Sequence, residues 1–297
     1  MQNIICCSKK IAALAAGMAL IAVVAPVFAG GRQTGGGKAA KSQITVISRE
    51  EGSGTRTAFV ELFEVLDGTK NDNVALSAEI TNNTAVMMTS VAGDKNAIGY
   101  ISLGSLNGTV KALAIDGAAA SAAAIKSGAY KIFRPFNIVT KAGLSPAASG
   151  FIGYILSDEG QAVVAANGYL PLEGAPASLP AARPRTGDKI AVAGSSSVTP
   201  LMEKLREAYI AKYPGIDIEI QQSDSSTGIN SVIDGVCDIG MASRELKRSE
   251  LDKGASGTVI ATDGIAVIVN RENPFNALSR EKVRDIYLGK IADWAEL

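Results

Sequence analysis

The chain contains no histidine. That absence removes the commonest general base at neutral pH and the commonest ligand for transition metals. Cysteine is nearly absent too. Of three cysteines, Cys6 and Cys7 fall in an apolar leader and Cys237 stands alone, so the folded part can form neither an internal disulfide nor a cysteine-rich zinc site. Cys237 is expected to behave as a small buried hydrophobe. There is no excess of charge: lysine plus arginine equals aspartate plus glutamate, 29 each. No global field therefore marks a nucleic-acid or membrane partner, and any bound anion must be held by local groups.

What is present suits a soluble globular protein. The 297 residues are 47% hydrophobic and 20% charged, enough for one large domain or two modest lobes with real cores. The first residues read as a secretory signal peptide over 1–29. Lys9 and Lys10 form its basic end, Ile11 to Val24 its apolar stretch, and Val27-Phe28-Ala29 a small-x-small cleavage site. The apolar run is marginal for spanning a membrane, and no cysteine follows it to carry a lipid. Cleavage after Ala29 leaves 27 basic against 29 acidic residues, and the expected product is exported and periplasmic. Residues 30–42 are glycine-rich and read as a flexible leader. Residues 173–189 (EGAPASLPAARPRTGDK) are proline-rich and read as a linker between 43–172 and 190–297.

Both parts alternate short apolar runs with amphipathic helical patterns, which predicts an α/β fold. In the first, a strand at Ile44–Ile47 leads through SREEGSGTR into a helix over Thr55–Leu66, whose Phe59, Leu62, Phe63 and Leu66 share a face. A strand is predicted at Ala97–Ile101 and one long helix over Pro146–Asn167, stopped by Gly168. In the second, the expected order is a strand at Ile190–Ala193, a helix over Pro200–Tyr213, a strand at Ile216–Gln221 and a helix ending near Asp234. A β-rich run at Val259–Asn270 and a helix over Arg280–Gly289 follow.

Three loops share one design, in which a strand meets small hydroxyl and glycine residues and then a helix: EGSGT (51–55), GSSSVTP (194–200) and SDSSTG (223–228). Serine before a helix is usually only a cap. A helix start, however, also offers unpaired N–H groups and a partial positive charge, and glycine permits close approach while hydroxyls add donors. Three such loops, one beside Arg49 with its fork of donors, point to an oxyanion site.

The segments GSSSVTPLMEKL, SDSSTGI, DIGMASREL, DGIAVIVN, REKVRDIYLGKIADWAEL and ITVISREEGSGTR resemble the periplasmic phosphate-binding proteins of bacterial phosphate ABC transporters (PstS-like, type II periplasmic binding proteins). FNIVTKAGLSPAASGFIGYILSDEGQAVVAANGYLPL is similar to that family's C-terminal region. The resemblance implies a two-lobed clamp, each lobe a mixed sheet flanked by helices, closing on inorganic phosphate in the cleft and delivering it to a membrane-embedded permease. It implies a monomer with no cofactor, metal, nucleic acid or catalysis. By position it assigns phosphate contacts to Ser196, Ser197, Ser225 and Ser243 from one lobe and to Arg49, Ser53, Gly54 and Thr55 from the other. Some members carry an aspartate where this chain has Ser243, and that aspartate accepts the proton of the phosphate dianion. Asp263, Asp224 and Glu50 remain as possible replacements.

The order of segments differs from that family, where the part like 190–297 comes first and the part like 43–172 follows. The chain reads as circularly permuted, with lobes built from 43–130 plus 267–297 and from 131–266, joined by strands near Phe133–Thr140 and Asp263–Asn270. A slice of a tandem gene is the other reading of that order. A sensor or a receptor for sulfate or molybdate is the alternative function. A secreted phosphatase fits less well, because no nucleophile with an activating base is visible.

Overall fold

The computed structural model describes residues 42–174 and 185–297. The predicted signal peptide, most of the predicted leader and the middle of the predicted linker lie outside the described residues. The first part contains β1 (Thr45–Arg49), α1 (Gly54–Phe63), β2 (Glu79–Thr81), α2 (Thr84–Gly93), β3 (Ala97–Ser102), β4 (Lys111–Ala112), β5 (Ala114–Ile115), α3 (Ala122–Lys126), β6 (Phe133–Thr140), α4 (Pro146–Ile155) and α5 (Asp158–Ala166). The second contains β7 (Lys189–Ser195), α6 (Thr199–Lys212), β8 (Asp217–Ser223), α7 (Ser225–Ile233), β9 (Ile239–Ala242), α8 (Arg248–Leu251), β10 (Ser256–Val269), β11 (Ala277–Leu278) and α9 (Arg280–Tyr287). The α/β class read from the sequence is the class observed.

Two helices differ from expectation. The single helix predicted over Pro146–Asn167 is broken into α4 and α5, because Ser157 starts a new helix by accepting the Gly160 N–H. A side chain at Gly160 would stand 2.2 Å from the Tyr154 carbonyl oxygen, so the two helices meet at a contact only glycine allows. Helix α1 stops at Phe63 rather than Leu66, because Glu64 adopts a left-handed conformation (φ 57°) and its N–H returns to Glu61 and Val60. Phe59 and Phe63 are buried as predicted.

The sheet order is β2-β1-β3-β10-β6-β9-β7-β8, with β4 also paired to β10. Strands β2, β1 and β3 run parallel, as do β9, β7 and β8, while β10 is antiparallel to both β3 and β6. Strand β10 changes partner midway. It bonds β6 from Ser256 to Gly264 and β3 from Ile265 onward. One core, around Phe136, Phe151, Leu201, Leu205 and Tyr209, packs on the β6–β8 side. Another, around Phe59, Phe63, Tyr100, Tyr287 and Trp294, packs on the β1–β3 side. In the second, the Phe59 and Tyr100 rings stack at 3.9 Å, which binds α1 to β3.

At the point where β10 changes partner, Asp263 faces Arg134 of β6. The Asp263 carboxylate accepts both guanidinium contacts (3.3 and 3.2 Å) and the Ser102 hydroxyl at 2.8 Å. Burial, with only 1% of Asp263 exposed, pushes its carboxyl up to about 6 against the pull of Arg134. A buried pair adds little net stability, but removing one partner strands the other charge at a cost of about 3–5 kcal/mol. Asp263→Ala should therefore lower unfolding free energy in urea by about that amount. Adding Arg134→Met should restore most of it, and an equal loss in the single and double variants would mean that the ion pair is not the cause.

Candidate functional site

The arginine loop is built on the end of β1. The Arg49 N–H donates to the Tyr100 hydroxyl (3.1 Å), which also bonds the Ser48 hydroxyl (2.8 Å), so the stacked ring of the core fixes the backbone of the loop. Arg56 donates to the Arg49 carbonyl at 2.7 Å, and the Glu50 N–H reaches the Thr81 carbonyl at 3.0 Å. Ser53 then caps α1 by accepting the Arg56 N–H. The Arg49 side chain, 2% exposed, lies against Glu50 in a two-point ion pair at 2.7 Å for each contact.

Opposite it stand the starts of α6 and α7. The Ser196 N–H donates to the Ser223 carbonyl at 2.9 Å, which joins the two serine loops, and Asp224 caps α7 by accepting the Thr227 N–H. Ser243, at the end of β9, donates its N–H to the Ser225 hydroxyl (3.1 Å), and its own hydroxyl accepts from Ser195 (3.0 Å).

These two sets meet. Arg49 Nη2 donates to Ser196 Oγ at 3.1 Å, and the hydroxyls of Thr55 and Ser197 are hydrogen-bonded at 2.8 Å. Gly54 lies so close to the other set that an added Cβ would stand 2.5 Å from Ser225 Oγ and 2.7 Å from Ser243 Oγ. All eight residues named from the sequence are thus gathered in one place, and Arg49, Ser53, Gly54, Thr55, Ser196, Ser197, Ser225 and Ser243 are buried. Ser53 serves there as a helix cap.

The structure adds residues that the sequence reading missed. Thr84, at the start of α2, places its hydroxyl 3.3 Å from Ser197 and 3.5 Å from Ser196. The segment TNNT carried the signal, a polar cap followed by a hydroxyl at a helix start. Arg134 approaches from beneath and donates to the Ser243 carbonyl at 3.3 Å. Of the three carboxylates left open, Asp224 is engaged as a helix cap, Asp263 is engaged by Arg134, and Glu50 shares the guanidinium that touches Ser196. Cys237 is half-buried rather than fully enclosed, and burial pushes its thiol up to about 11.

A family model described as a PBP superfamily domain matches residues 22–159 and 179–297. The phosphate-binding protein PstS 2 of Streptococcus agalactiae serotype V (strain ATCC BAA-611 / 2603 V/R) is 56% identical over 262 residues, covering 86% of this chain and 88% of its own. The phosphate-binding protein PstS 2 of Streptococcus pneumoniae serotype 4 is 42% identical over 293 residues, covering 97% of this chain and 99% of its own. A crystal structure of a phosphate ABC transporter's phosphate-binding protein from Streptococcus pneumoniae TIGR4 matches with a TM-score of 0.65 at 44% identity, covering 86% of this chain and 99% of that one. The chain belongs to the PBP superfamily and, within it, to the family of phosphate-binding proteins PstS.

The contact at Gly54 gives a direct test of the geometry. Gly54→Ala puts a methyl group where no real Cβ fits, so the start of α1 must part from Ser225 and Ser243. The expected outcome is a larger radius of gyration by X-ray scattering with unchanged circular dichroism. A scattering profile that superimposes on the parent's would show that the two sets of loops do not close on this contact.

Proposed function

We infer that this chain is an extracytoplasmic solute-binding protein that captures inorganic phosphate and delivers it to a membrane-embedded ABC permease. The observation that carries this reading is the meeting of Arg49 and Ser196 with hydroxyls at three helix starts, Thr55, Thr84 and Ser225, and with Ser197 just ahead of α6, in a chain whose relatives are phosphate-binding proteins. Helix starts and charge-assisted donors are what a tetrahedral dianion needs when water is excluded. The proposed contacts are Arg49, Ser53, Gly54 and Thr55 on one side and Ser196, Ser197, Ser225 and Ser243 on the other, with Thr84 added. The protein is not an enzyme: its relatives are phosphate-binding proteins of a transport system, and capture and release are the chemistry of this reading.

Two lobes, 43–130 with 267–297 and 131–266, are proposed to open and close about β6 and β10. The packing of the two cores divides between Ile132 and Phe136 and between Ala261 and Ile265, a few residues inside those bounds. Export through a signal peptide over 1–29 to the periplasm, and action as a monomer, complete the reading. A circularly permuted order is supported by contacts between distant segments. The Ile44 N–H donates to the Ala292 carbonyl (2.8 Å) and the Trp294 N–H to the Ser42 carbonyl (2.9 Å). Reconnecting the chain there would therefore leave the architecture unchanged. The pneumococcal relative, matched along nearly its whole length, carries the segments in this same order.

One observation favours sulfate as a second ligand. Ser225 accepts the Ser243 N–H, Ser243 accepts the Ser195 hydroxyl, and the Ser225 and Ser243 hydroxyls lie 3.4 Å apart, so this part of the site presents hydroxyls, which can donate to either anion, in place of a carboxylate that only accepts. We assign that acceptor role to Glu50, whose carboxylate shares Arg49 with Ser196.

Calorimetry on residues 30–297 with phosphate, sulfate and molybdate tests the main reading, and a folded chain giving no heat with phosphate would sink it. Arg49→Ala removes two or more charge-assisted bonds at about 1.5–3 kcal/mol each, so affinity should fall by about a hundredfold or more. Retained affinity would remove Arg49 from the site. Glu50→Gln should narrow the preference for phosphate over sulfate by about tenfold, the equivalent of one such bond. An unchanged ratio would rule out Glu50 as the acceptor.

A further inference from the structure

The arginine loop makes one more contact across the site, through none of the residues assigned to the anion. The Gly52 carbonyl points at the first turn of α7, where it accepts both the Ser226 N–H and the Ser226 hydroxyl, each at 3.2 Å. The hydroxyl is not free to turn away. Its oxygen accepts from Arg244 Nη2 at 2.9 Å, which directs its hydrogen toward Gly52. Arg244, only 3% exposed, is fixed in turn by two contacts to Glu250 (2.7 and 2.9 Å) and by donation to the Glu245 carbonyl (2.9 Å). Glu250 accepts the Lys247 N–H at 2.7 Å. The result is a relay anchored wholly on the α7–α8 side that ends in two donors aimed at one carbonyl of the other side. Gly52 suits the role, since it adopts φ +85° and an added Cβ would stand 2.6 Å from Asp224 Oδ1.

We propose that Ser226, oriented by Arg244, is a latch that holds the clamp shut by bonding the Gly52 carbonyl, and that it sets how long phosphate stays rather than how fast it enters. The proposal rests on the phosphate reading above. A ligand enclosed between two bodies leaves only when they part, so a bond made only in the closed state slows release and shifts the population toward closure. A bond absent from the open state leaves the encounter step untouched. The Arg244–Glu250 pair is a positioning device, because it removes the rotational freedom that an exposed serine would otherwise lose on closing.

Stopped-flow release of inorganic phosphate from Ser226→Ala should be about three- to tenfold faster than from the parent, the range of one neutral hydrogen bond. The association rate should stay within about twofold. Ser226→Thr keeps the hydroxyl and should restore slow release. In the ligand-free chain, hydrogen exchange at the amides of 53–56 should also quicken in Ser226→Ala and not in Ser226→Thr. Unchanged release and exchange in Ser226→Ala, or equal acceleration in both variants, would overturn the latch. Because the exchange measurement needs no phosphate, it tests the latch even if the parent fails to bind that anion, and so separates the two readings.

Discussion

Four helix starts brought to one point are the constraint on which the rest of the structure depends. Each carries about half a positive charge from its aligned peptide dipoles. Helices α1 and α2 begin at hydroxyls that meet those of Ser196 and Ser197, just ahead of α6, while Ser225 at the start of α7 meets Ser243 beside Gly54 of α1. Such an arrangement repels itself unless negative charge is supplied. The protein supplies part of it locally, through Glu50 on Arg49 and Asp224 on α7. What remains is a donor-rich, nearly neutral site, which is why a chain with no net charge can still select an anion. Strong unpaired cations would bind a dianion more tightly, yet they would also attract every other anion and hold it whether or not the site was closed.

Positioning those helix starts requires a rigid frame with one compliant line. The frame is supplied by the stacked aromatic core that reaches the loop through Tyr100, and by the joined serine loops opposite. In the opening we propose, the compliant line is β10, whose residues before 265 pair with β6 and whose later residues pair with β3. A strand can bend at such a transition without breaking ladder bonds on either side. The ion pair of Arg134 with Asp263 sits at that point and reaches the Ser243 carbonyl, so any bend in the strand is felt at the site floor.

The anion loops were legible because their chemistry is local. Glycine, serine and threonine ahead of an apolar periodic run mark a helix start whatever the fold around it, whereas the eight individual residues, Ser243 above all, were picked out by the family resemblance. The break between α4 and α5 was equally local, in Ser157-Asp158-Glu159-Gly160, yet the continuous apolar pattern of the flanking residues masked it. Thr84 was missed for a different reason. Its loop lacks glycine and arginine, and only the parallel pairing of β1 with β2 brings it beside Ser197. The roles of Asp263, Asp224 and Glu50 could not be told apart from sequence, because a carboxylate's function is set by its neighbour, and those neighbours are Arg134, the α7 amides and Arg49.

The same reasoning bears on the permuted order of segments that we propose. The contacts that join the two sides of the site link residues distant in sequence, such as Arg49 with Ser196 and Thr55 with Ser197. None depends on which of the two comes first along the chain. What must be continuous are the units that aim a helix start, such as β1 with α1 and β7 with α6, and each of these is intact. Ser42–Ile44 pair side by side with Ala292–Trp294, the edge at which the permuted order we propose would reconnect the chain. The geometry of the site therefore rests on these strand-loop-helix units and on the contacts between them.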